Sequence, residues 1–450
     1  MRFRRHLCVS LLVYVIFSGV WIGPSQGADV FLEATRPDFQ KIPVWVVGFG
    51  DGNPPQGSTA RIGSQIVDIL KADLERTQIF SVLEVPSEDL GFKEADCKHT
   101  ERLAEFQSSG AAVVTWGRVG RRGSELIMDV CGYDAGRDDV TSGKRYVGGP
   151  ITMRLLRLMV HRWADQLVTH YTGEAGIAKT KIAFVSENKG SRELFVMDYD
   201  GFGPQRVTAD GYLSLMPAWS PDQQHLVYTA YRRHNQEIVQ LGLSSGKKRT
   251  LVSPKGLNIT PAISPDGKIM AYASAKEGNS EIYSMNVETQ DVVQLTFHKS
   301  ADLSPSWSPN GREIVFTSDR GGRPQLYIMS ADGSNVRRLT FEGDYNAAPA
   351  WSPNGEWVAY VCQVPGEGFR LCRISPDGQT RVKITTGSRK EMDDSPTWSP
   401  DSRHVAFSST RNGMSHIFMI NSDGTGLEQL TKGGIHHSSP SWSPLQSEAE

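Results

Sequence analysis

A repeat of about 44 residues fills the second half of the chain and constrains its fold more than any other feature. Each copy opens with a proline anchor of the form Pro-x-Trp-Ser-Pro or a close variant, and the central residues of successive anchors stand 44, 44, 44, 47 and 44 positions apart. Two further series of mostly aromatic residues keep the same period. Such regularity indicates units that pack only on their neighbours. The anchors are centred on Trp219, Ile263, Trp307, Trp351, Trp398 and Trp442.

Each unit has the turn signals of four short strands. In the third unit, β-branched and aromatic residues fill 314–318 and 325–329, with turn residues between them. Tetrads such as Ser-Pro-Asp-Gly at 264–267 predict tight turns, because Pro presets φ at the second position and Gly accepts a positive φ at the fourth. Four strands in roughly 44 residues is the β-propeller pattern, with the anchor Trp packed between neighbouring sheets.

The two ends of the repeat region complement each other. Residues 181–208 supply the second, third and fourth strands of a unit that has no anchor, and residues 440–444 form an anchor with no strands after it. We therefore predict a six-bladed β-propeller closed by the C-terminal strand, which pairs with the first blade. Closure of this kind also removes an exposed sheet edge.

The N-terminal part lacks the period and alternates strand-like and helix-like segments. The patterns predict a strand over 43–49, a helix over 61–75 and a last helix over about 152–171. The predicted fold is multidomain, with an N-terminal α/β domain at 28–176 followed by the propeller at 177–450. The last helix carries three basic residues that we interpret as a solvated face: Arg154, Arg157 and Arg162.

Residues 1–27 have the three parts of a secretory signal peptide: a basic start, an apolar run and small residues before Ala28. The apolar run, 7–22, has 16 residues. A membrane span needs about 20, so we favour cleavage near Gly27 over an uncleaved anchor. Removing the segment takes away three arginines and changes the net charge from −2 to −5. The mature chain is therefore expected to be exported, without nucleic acid as a partner and without direct membrane insertion.

Four cysteines remain after this segment, and export permits disulfides. Cys362 and Cys372 flank a Gly-rich turn between two predicted strands, where facing positions lie near disulfide distance, so we predict that they pair. Cys97 and Cys131 are candidates for a second bridge, and the sequence leaves their state open. No C-x-x-C spacing occurs and the histidines are scattered, so we predict neither a metal nor a cofactor.

Several local patterns resemble enzyme motifs, but none has the surroundings that its chemistry requires. Residues 242–246 match G-x-S-x-G, yet a nucleophile elbow needs a strand that leads into a helix, and this copy lies at a predicted hairpin turn. Residues 48–53 lack the last Gly of a dinucleotide fingerprint and are interpreted as a loop. The acidic pair 393–394 and the histidine pair 436–437 are adjacent strand residues that point to opposite faces. We predict no catalytic residue.

The segment that joins the two parts carries a family resemblance. It reads Thr-Gly-Glu-Ala-Gly-Ile-Ala-Lys-Thr-Lys-Ile-Ala-Phe over 172–184, follows the last predicted helix and precedes the repeats. A single Ser-Pro-Asp-Gly turn is weak evidence, because peptidase propellers share it. In domain order, junction segment and number of repeat units together, the whole mature chain resembles the TolB family of the Tol-Pal envelope system.

The resemblance implies a periplasmic protein that binds other proteins and has no catalytic activity. Proteins of this family bind the peptidoglycan-associated lipoprotein with the propeller and TolA with the mature N-terminal segment. The implied role is outer-membrane constriction at cell division and envelope integrity, as a monomer within a complex. The alternative is an exported propeller enzyme acting on a sugar or peptide at the channel mouth, which a convergent cluster of ionisable groups with perturbed pKa values would favour.

The segment before each anchor proline must enter the innermost strand, so it borders one mouth of the central channel, where loops carry binding function. The resemblance implies that the lipoprotein binds at this rim. Four positions are carried over by their distance from the anchor proline: Leu215, Leu257, Thr260 and Leu303. Neighbouring positions complete the candidate set: Met216, Asn258, Tyr345, Met392, Asp393 and His437. The family pattern has His and Ala at the sites of Leu257 and Thr260, so we expect a changed partner surface.

The mature N-terminal segment is the second candidate interface. Asp29, Val30, Phe31 and Leu32 have the pattern of a strand that could add to the sheet edge of a partner, which is the mode the resemblance implies for TolA. From the residues alone, an ordinary internal edge strand is an equally good interpretation.

Overall fold

The computed structural model describes residues 40–52, 60–84, 97, 110–137, 139–188, 190–232 and 235–445. The predicted signal peptide and the predicted TolA-binding residues 29–32 lie outside these ranges. Within them, an N-terminal α/β part is followed by a β-propeller.

In its described residues, the N-terminal part is one mixed sheet with two helices. In chain order the described elements are β1 (Ile42–Gly52), α1 (Ala60–Arg76), β2 (Phe80–Val82), β3 (Val113–Arg122), β4 (Glu125–Asp134), β5 (Asp139–Gly148) and α2 (Met153–Thr172). The sheet order is β2-β1-β3-β4-β5, with β1 parallel to both of its neighbours and the other pairs antiparallel. The expectation of a loop from residue 48 is wrong as far as residue 52, because this segment stays paired with β3.

Helix α2 begins and ends where the sequence supplies caps. The Thr152 hydroxyl accepts a hydrogen bond from the N–H of Leu155, which satisfies one of the free donors of the first turn. Gly173 adopts a left-handed φ of 73° and donates its N–H to the carbonyl of Thr169. The caps set the ends of the helix, and buried side chains such as Trp163 pack it into the hydrophobic core.

The described propeller strands keep the period of the repeats. They are β6 (Lys181–Asn188), β7 (Ser191–Asp198), β8 (Gln205–Arg206), β9 (Leu213–Trp219), β10 (His225–Arg232), β11 (Asn235–Gly242), β12 (Lys248–Val252), β13 (Asn258–Ile263), β14 (Ile269–Ser274), β15 (Glu281–Asn286), β16 (Val292–Gln294), β17 (Asp302–Trp307), β18 (Glu313–Ser318), β19 (Gln325–Ser330), β20 (Arg337–Arg338), β21 (Asn346–Trp351), β22 (Val358–Val364), β23 (Gly368–Ile374), β24 (Arg381–Lys383), β25 (Asp393–Trp398), β26 (His404–Asn412), β27 (Met414–Asn421), β28 (Glu428–Gln429) and β29 (His437–Trp442).

Four sheets in the described propeller contain four consecutive strands each, namely β13–β16, β17–β20, β21–β24 and β25–β28. A further sheet of eight strands has the order β12-β11-β10-β9-β7-β6-β29, with β8 added to β7. Its two halves meet at a parallel residue pair, Arg192 and Leu213.

The last strand pairs with the first, as the sequence predicts. Strand β29 runs antiparallel to β6, with His437 opposite Ser186 and Trp442 opposite Ile182. The Trp442 indole N–H also donates to the hydroxyl of Thr180 at 2.9 Å, across 262 positions of sequence. We call the strands β29, β6, β7 and β8 the closing sheet.

Three anchor tryptophans, Trp219, Trp307 and Trp398, link the first strands of neighbouring sheets through the indole N–H. The indole N–H of Trp219 donates to the carbonyl of Ser441 at 2.9 Å, and that of Trp307 donates to the carbonyl of Ala262 at 3.1 Å. Burying a large apolar side chain contributes about 1.5–3 kcal/mol in addition. Ile263 has no such N–H, so this link is missing where β13 meets β9.

Two disulfides are present. Cys97 bonds to Cys131 with a Cα–Cα distance of 5.6 Å, and Cys362 bonds to Cys372 at 5.8 Å. The second pair does not occupy directly facing positions as expected, because Cys362 lies opposite Arg370 and Cys372 opposite Tyr360. The bond therefore joins diagonal neighbours on one face of the sheet.

A buried polar network joins the N-terminal part to the propeller. Asp73 of α1 accepts a hydrogen bond from the hydroxyl of Tyr199 at 2.6 Å, and its other oxygen lies 2.6 Å from Nδ1 of His161 in α2. Arg157 of α2 forms an ion pair with Asp200 beside these three residues. Arg157 is 7% exposed, so its assignment to a solvated face is wrong. Asp200 pairs with its guanidinium, and the ring of Phe202 packs against it at 4.3 Å.

The N-terminal part contacts the propeller at the tight turns. Gln78 donates to the carbonyl of Arg403, in the turn between β25 and β26, at 3.2 Å. The Arg403 guanidinium in turn donates to Glu174 at 2.6 Å. Among the described residues, no contact of the N-terminal part with the opposite ends of the inner strands, where the anchor prolines are approached, is found. Neither described helix combines the length and apolar character that crossing a membrane requires.

Candidate protein-binding rim

We define the rim as the segments that lead into the first strands of the six repeat units, up to each anchor proline. In every unit the residue just before that proline has a left-handed backbone, and the pairing with the second strand shifts register there. These φ angles are 52° at Met216, 52° at Thr260, 53° at Ser304, 50° at Ala348, 54° at Ser395 and 49° at Ser439.

Side chains other than glycine rarely adopt this conformation, which costs about 1–2 kcal/mol per residue. Thr260 is the clearest case, since β-branching makes a left-handed φ an outlier. Strain of this kind persists where surrounding structure imposes it, and it concentrates at functional sites. Its recurrence in all six units makes it a property of the repeat.

The bulge decides which rim side chains face inward. Asp393 and Pro396 are both buried although they lie three residues apart, a spacing that would place them on opposite faces of a regular strand. One extra residue in the bulge restores both to the interior. The same holds at Asn258 and Pro261, and at His437 and Pro440.

Three candidate contact residues are therefore interior. Asn258 and Asp393 are 0% exposed, and His437 is 7% exposed. They entered the candidate set as neighbours of the positions carried over from the family, and their burial leaves their side chains without a surface for direct contact with a partner. They support the rim from inside the sheets.

Asp393 is held by a dense set of donors. Its carboxylate accepts from Arg411 at 2.9 Å, from the hydroxyl of Ser409 at 2.6 Å and from that of Thr385 at 2.7 Å. Arg370, which is also 0% exposed, lies 3.3 Å away. A buried charge is tolerated only with such pairing and hydrogen bonding.

Asp302 of β17 occupies the position equivalent to Asp393, and two opposing effects act on the pKa of its carboxyl. Burial raises the pKa of its carboxyl, while the Ser318 hydroxyl and the Arg320 guanidinium, 2.7 Å away, oppose that shift. Neutral side chains fill the same position elsewhere. Asn258, for example, donates to the carbonyls of Gln236 and Pro254 at 2.8 Å each.

In the closing sheet, His437 occupies the buried position three residues before the anchor proline. Its ring packs edge-on against Phe184, with centroids 5.3 Å apart, and lies 5.6 Å from the ring of His416. Burial lowers the pKa of His437 to about 4, and the nearby His416 and His436 reinforce the shift. The interior of this sheet is therefore built around a neutral imidazole.

The outward row of the rim is largely apolar. Met216 is 36% exposed and Met392 is 45% exposed. The other outward candidates are partly exposed: Leu215, Leu257, Thr260, Leu303 and Tyr345. Apolar side chains surrounded by polar ones are typical of the centre of a protein interface.

Two exposed aromatic residues on the rim side of the propeller were not among the candidates named from the sequence. Phe297 is 78% exposed and Phe341 is 72% exposed, and each follows the last strand of its sheet in a Leu-Thr-Phe sequence. The loop that contains Phe297 is held by Asn279 of the β14–β15 hairpin, which donates to the carbonyl of His298 at 2.7 Å. The two Phe residues stand 44 positions apart, so the period itself could have found them.

The enzyme-like patterns do not assemble a catalytic site in the described residues. Residues 242–246 form the hairpin between β11 and β12 and not a strand-to-helix turn. The acidic pair Asp393 and Asp394 lies in the sheet β25–β28, whereas His437 lies in β29 of the closing sheet. Asp393 and Asp394 differ in burial, as their adjacent positions predict.

One group of potential metal ligands comes together in the described part of the chain: Asp73, His161 and Asp200, with ligand atoms within 4.8 Å of one another. The donors of Tyr199 and Arg157 already engage the two carboxylates. This arrangement is that of a hydrogen-bonded junction between the two parts, and not of a cation site.

Comparison with known proteins gives consistent matches. Residues 168–446 match the family model described as TolB beta propeller domain. The Tol-Pal system protein TolB of Desulfosudis oleivorans is 32% identical over 238 residues, covering 51% of each chain. That of Polaromonas naphthalenivorans is 34% identical over 262 residues, covering 57% of this chain and 56% of the relative. The chain thus spans about half the length of the curated relatives it matches.

A solved structure extends the likeness in fold to the N-terminal part. The crystal structure of TolB from Acinetobacter baumannii superposes with a TM-score of 0.74, covering 90% of this chain and 97% of that chain. At 24% identity this match concerns the fold alone.

Proposed function

The chain belongs to the TolB β-propeller family, and on this premise we propose that it is a non-enzymatic, periplasmic protein of a Tol-Pal system that binds partner proteins. The rim would bind the peptidoglycan-associated lipoprotein. The N-terminal segment 29–32 would bind TolA, and the complex would support outer-membrane constriction at division and envelope integrity.

The observation that carries the proposal is the apolar outward row of the rim on the free face of the propeller. Leu257 and Leu303 are partly exposed there. Leu257 directly precedes the fully buried Asn258, and Leu303 lies between the fully buried Asp302 and the left-handed Ser304. Buried donors and acceptors behind the row hold it in place, which lowers the entropic cost of binding. Relatives named for the Tol-Pal system support the assignment of partners.

The proposal includes a domain plan. Residues 1–27 would be removed on export, 28–176 would form the N-terminal domain and 177–450 the propeller. We further propose that the propeller has six blades, counting the closing sheet and β9–β12 as separate units. The single residue pair between β7 and β9 supports this division.

Co-purification with the lipoprotein tests the rim. Leu257→Glu and Leu303→Glu should each reduce recovery by at least about tenfold, because each places a charge in the apolar row. Val293→Glu is the matched control, since Val293 is 57% exposed on the outer strand β16. Recovery equal to that of the parent protein in both rim variants would refute the assignment.

Deletion of residues 28–34 tests the second interface separately. We expect the deleted protein to lose TolA and to keep the lipoprotein. Loss of both partners would indicate that the N-terminal segment supports the fold and is not a dedicated binding strand.

A further inference from the structure

A cavity of about 470 Å³ lies where the N-terminal part meets the propeller, on the side opposite the rim. Helix α2 forms one wall through Arg154 and Leu158, and β6 and β7 form another through Lys181 and Met197. Trp219 contributes to the apolar lining from the neighbouring sheet. Ligand-sized cavities are commonly found at such junctions between domains.

The charged lining of this cavity is mainly basic. Arg154, Lys179 and Lys181 line it, and Asp198 is the acid among the lining residues. Asp198 is already engaged by Lys181 at 2.7 Å. Lys179 lies 4.0 Å from Asp165, a weak contact at the outer limit for an ion pair. The cavity therefore suits an acidic occupant with some apolar contact.

The closing strand leads the chain to the edge of this cavity. The carbonyl of Pro444 accepts from the side chain of Gln223 at 2.7 Å, and the hydroxyl of Ser443 accepts from the backbone N–H of Lys181 at 3.0 Å. Gln223 and Lys181 both line the cavity. Leu445 is the last described residue and packs on the hydrophobic core beside it.

The residues that follow have the complementary charge. Residues 446–450 read Gln-Ser-Glu-Ala-Glu, with two acidic side chains and no basic one. Five residues span up to about 17 Å when extended, enough to cross a cavity of this size.

We propose that residues 446–450 bind in this cavity, with Glu448 and Glu450 paired to Arg154 and Lys179. The contact would fasten the closing strand to helix α2, so that the segment that completes the propeller also secures the N-terminal part. This inference does not depend on the partners proposed for the rim.

Zero-length carbodiimide cross-linking of the full chain at low concentration tests the contact. The reagent joins a carboxylate to an amine only where the two touch, so we expect intramolecular links from Glu448 or Glu450 to Lys179 or Lys181. Lys247 is the internal control, because it lies in the β11–β12 hairpin, where its carbonyl accepts from the N–H of Gly242, and does not line the cavity. Links to the cavity lysines should exceed those to Lys247 by roughly fivefold, because an exposed ion pair contributes up to about 1 kcal/mol.

Arg154→Glu provides the second arm. It should lower the yield of the cavity links by several fold and leave the few Lys247 links unchanged, because it alters charge only at the cavity. Links distributed equally over Lys247 and the cavity lysines would overturn the proposal. Links found only between two copies of the chain would also overturn it, in favour of an acidic segment supplied by a second molecule.

Discussion

The sheet β25–β28 and the closing sheet follow one plan but are assembled differently. The first comes from one continuous stretch of chain, whereas the second joins β29 to strands that lie at the opposite end of the propeller sequence. Their registers correspond, with Asp393 opposite Ser409 in the one and His437 opposite Ser186 in the other. Pairing between distant segments thus reproduces the geometry of a continuous sheet, including the left-handed residue before the proline.

The two sheets differ in the group that fills the buried rim position. Asp393 is an acid surrounded by Arg370 and Arg411, while His437 has two other histidines nearby. The repeat therefore fixes the position of this residue and its burial, but not whether the residue is charged. The continuous sheet holds a paired charge, and the closing sheet requires an uncharged ring.

The largest effect is expected from removing the acid of the continuous sheet. Asp393→Ala should lower the free energy of unfolding by about 3–5 kcal/mol, because the buried Arg370 would lose its fully buried acid and keep only Glu391, 3.9 Å away. Urea denaturation measures the change. Asp394→Ala is the matched control on the adjacent, exposed position. It should stay within about 0.5 kcal/mol of the parent protein. Equal losses in the two variants would contradict the role given to Asp393.

A smaller effect should separate the two sheets by pH. The folded-state pKa of His437, about 4, lies below its ordinary value of 6.5. The unfolded chain therefore binds more protons in this window, and stability falls as the pH drops from 6.5 towards 4. Between pH 7 and pH 5 the loss should be about 2 kcal/mol at most. At pH 5 this loss of stability should appear as faster amide hydrogen exchange in β6, the strand paired with β29, than in β26.

His437→Asn isolates this contribution, since Asn258 and Asn346 occupy the equivalent position in other sheets. The variant should flatten the pH dependence between pH 7 and pH 5. Asp302 acts in the opposite direction, because burial raises the pKa of its carboxyl. The informative quantity is therefore the difference between parent and variant. An unchanged slope would show that His437 is not the source.

The smallest effect tests whether the bulges of the two sheets are equivalent. Ser395 and Ser439 both precede the anchor proline, with φ of 54° and 49°. Replacing either by Gly removes the left-handed strain and adds disorder to the unfolded chain, so each variant should differ from the parent by at most about 1 kcal/mol, with the same sign. Thermal unfolding of the two variants side by side measures this. Opposite signs would mean that closure distorts the bulge.

Strand positions and ring closure could be read from the sequence because their causes are local and periodic. Turn tetrads and alternating apolar residues placed β18 and β19 within a residue of their observed bounds. The unpaired anchor at the end of the chain identified the partner of β6. The sequence did not indicate that Asn258, Asp393 and His437 are buried, because the bulge adds a residue to the strand that no turn signal marks.

The sequence by itself determined the period, the four-strand units, the α/β character of the N-terminal part and the strand that closes the ring, since each depends on residue types at short, regular spacing. Only the tertiary structure decided which polar groups meet in the interior. Asp73, His161 and Tyr199 are 88 and 126 positions apart in their hydrogen-bonded pairs, and Arg157 became part of a junction and not of a solvated face. Such contacts arise from the packing of one finished element on another, and no local pattern encodes that packing.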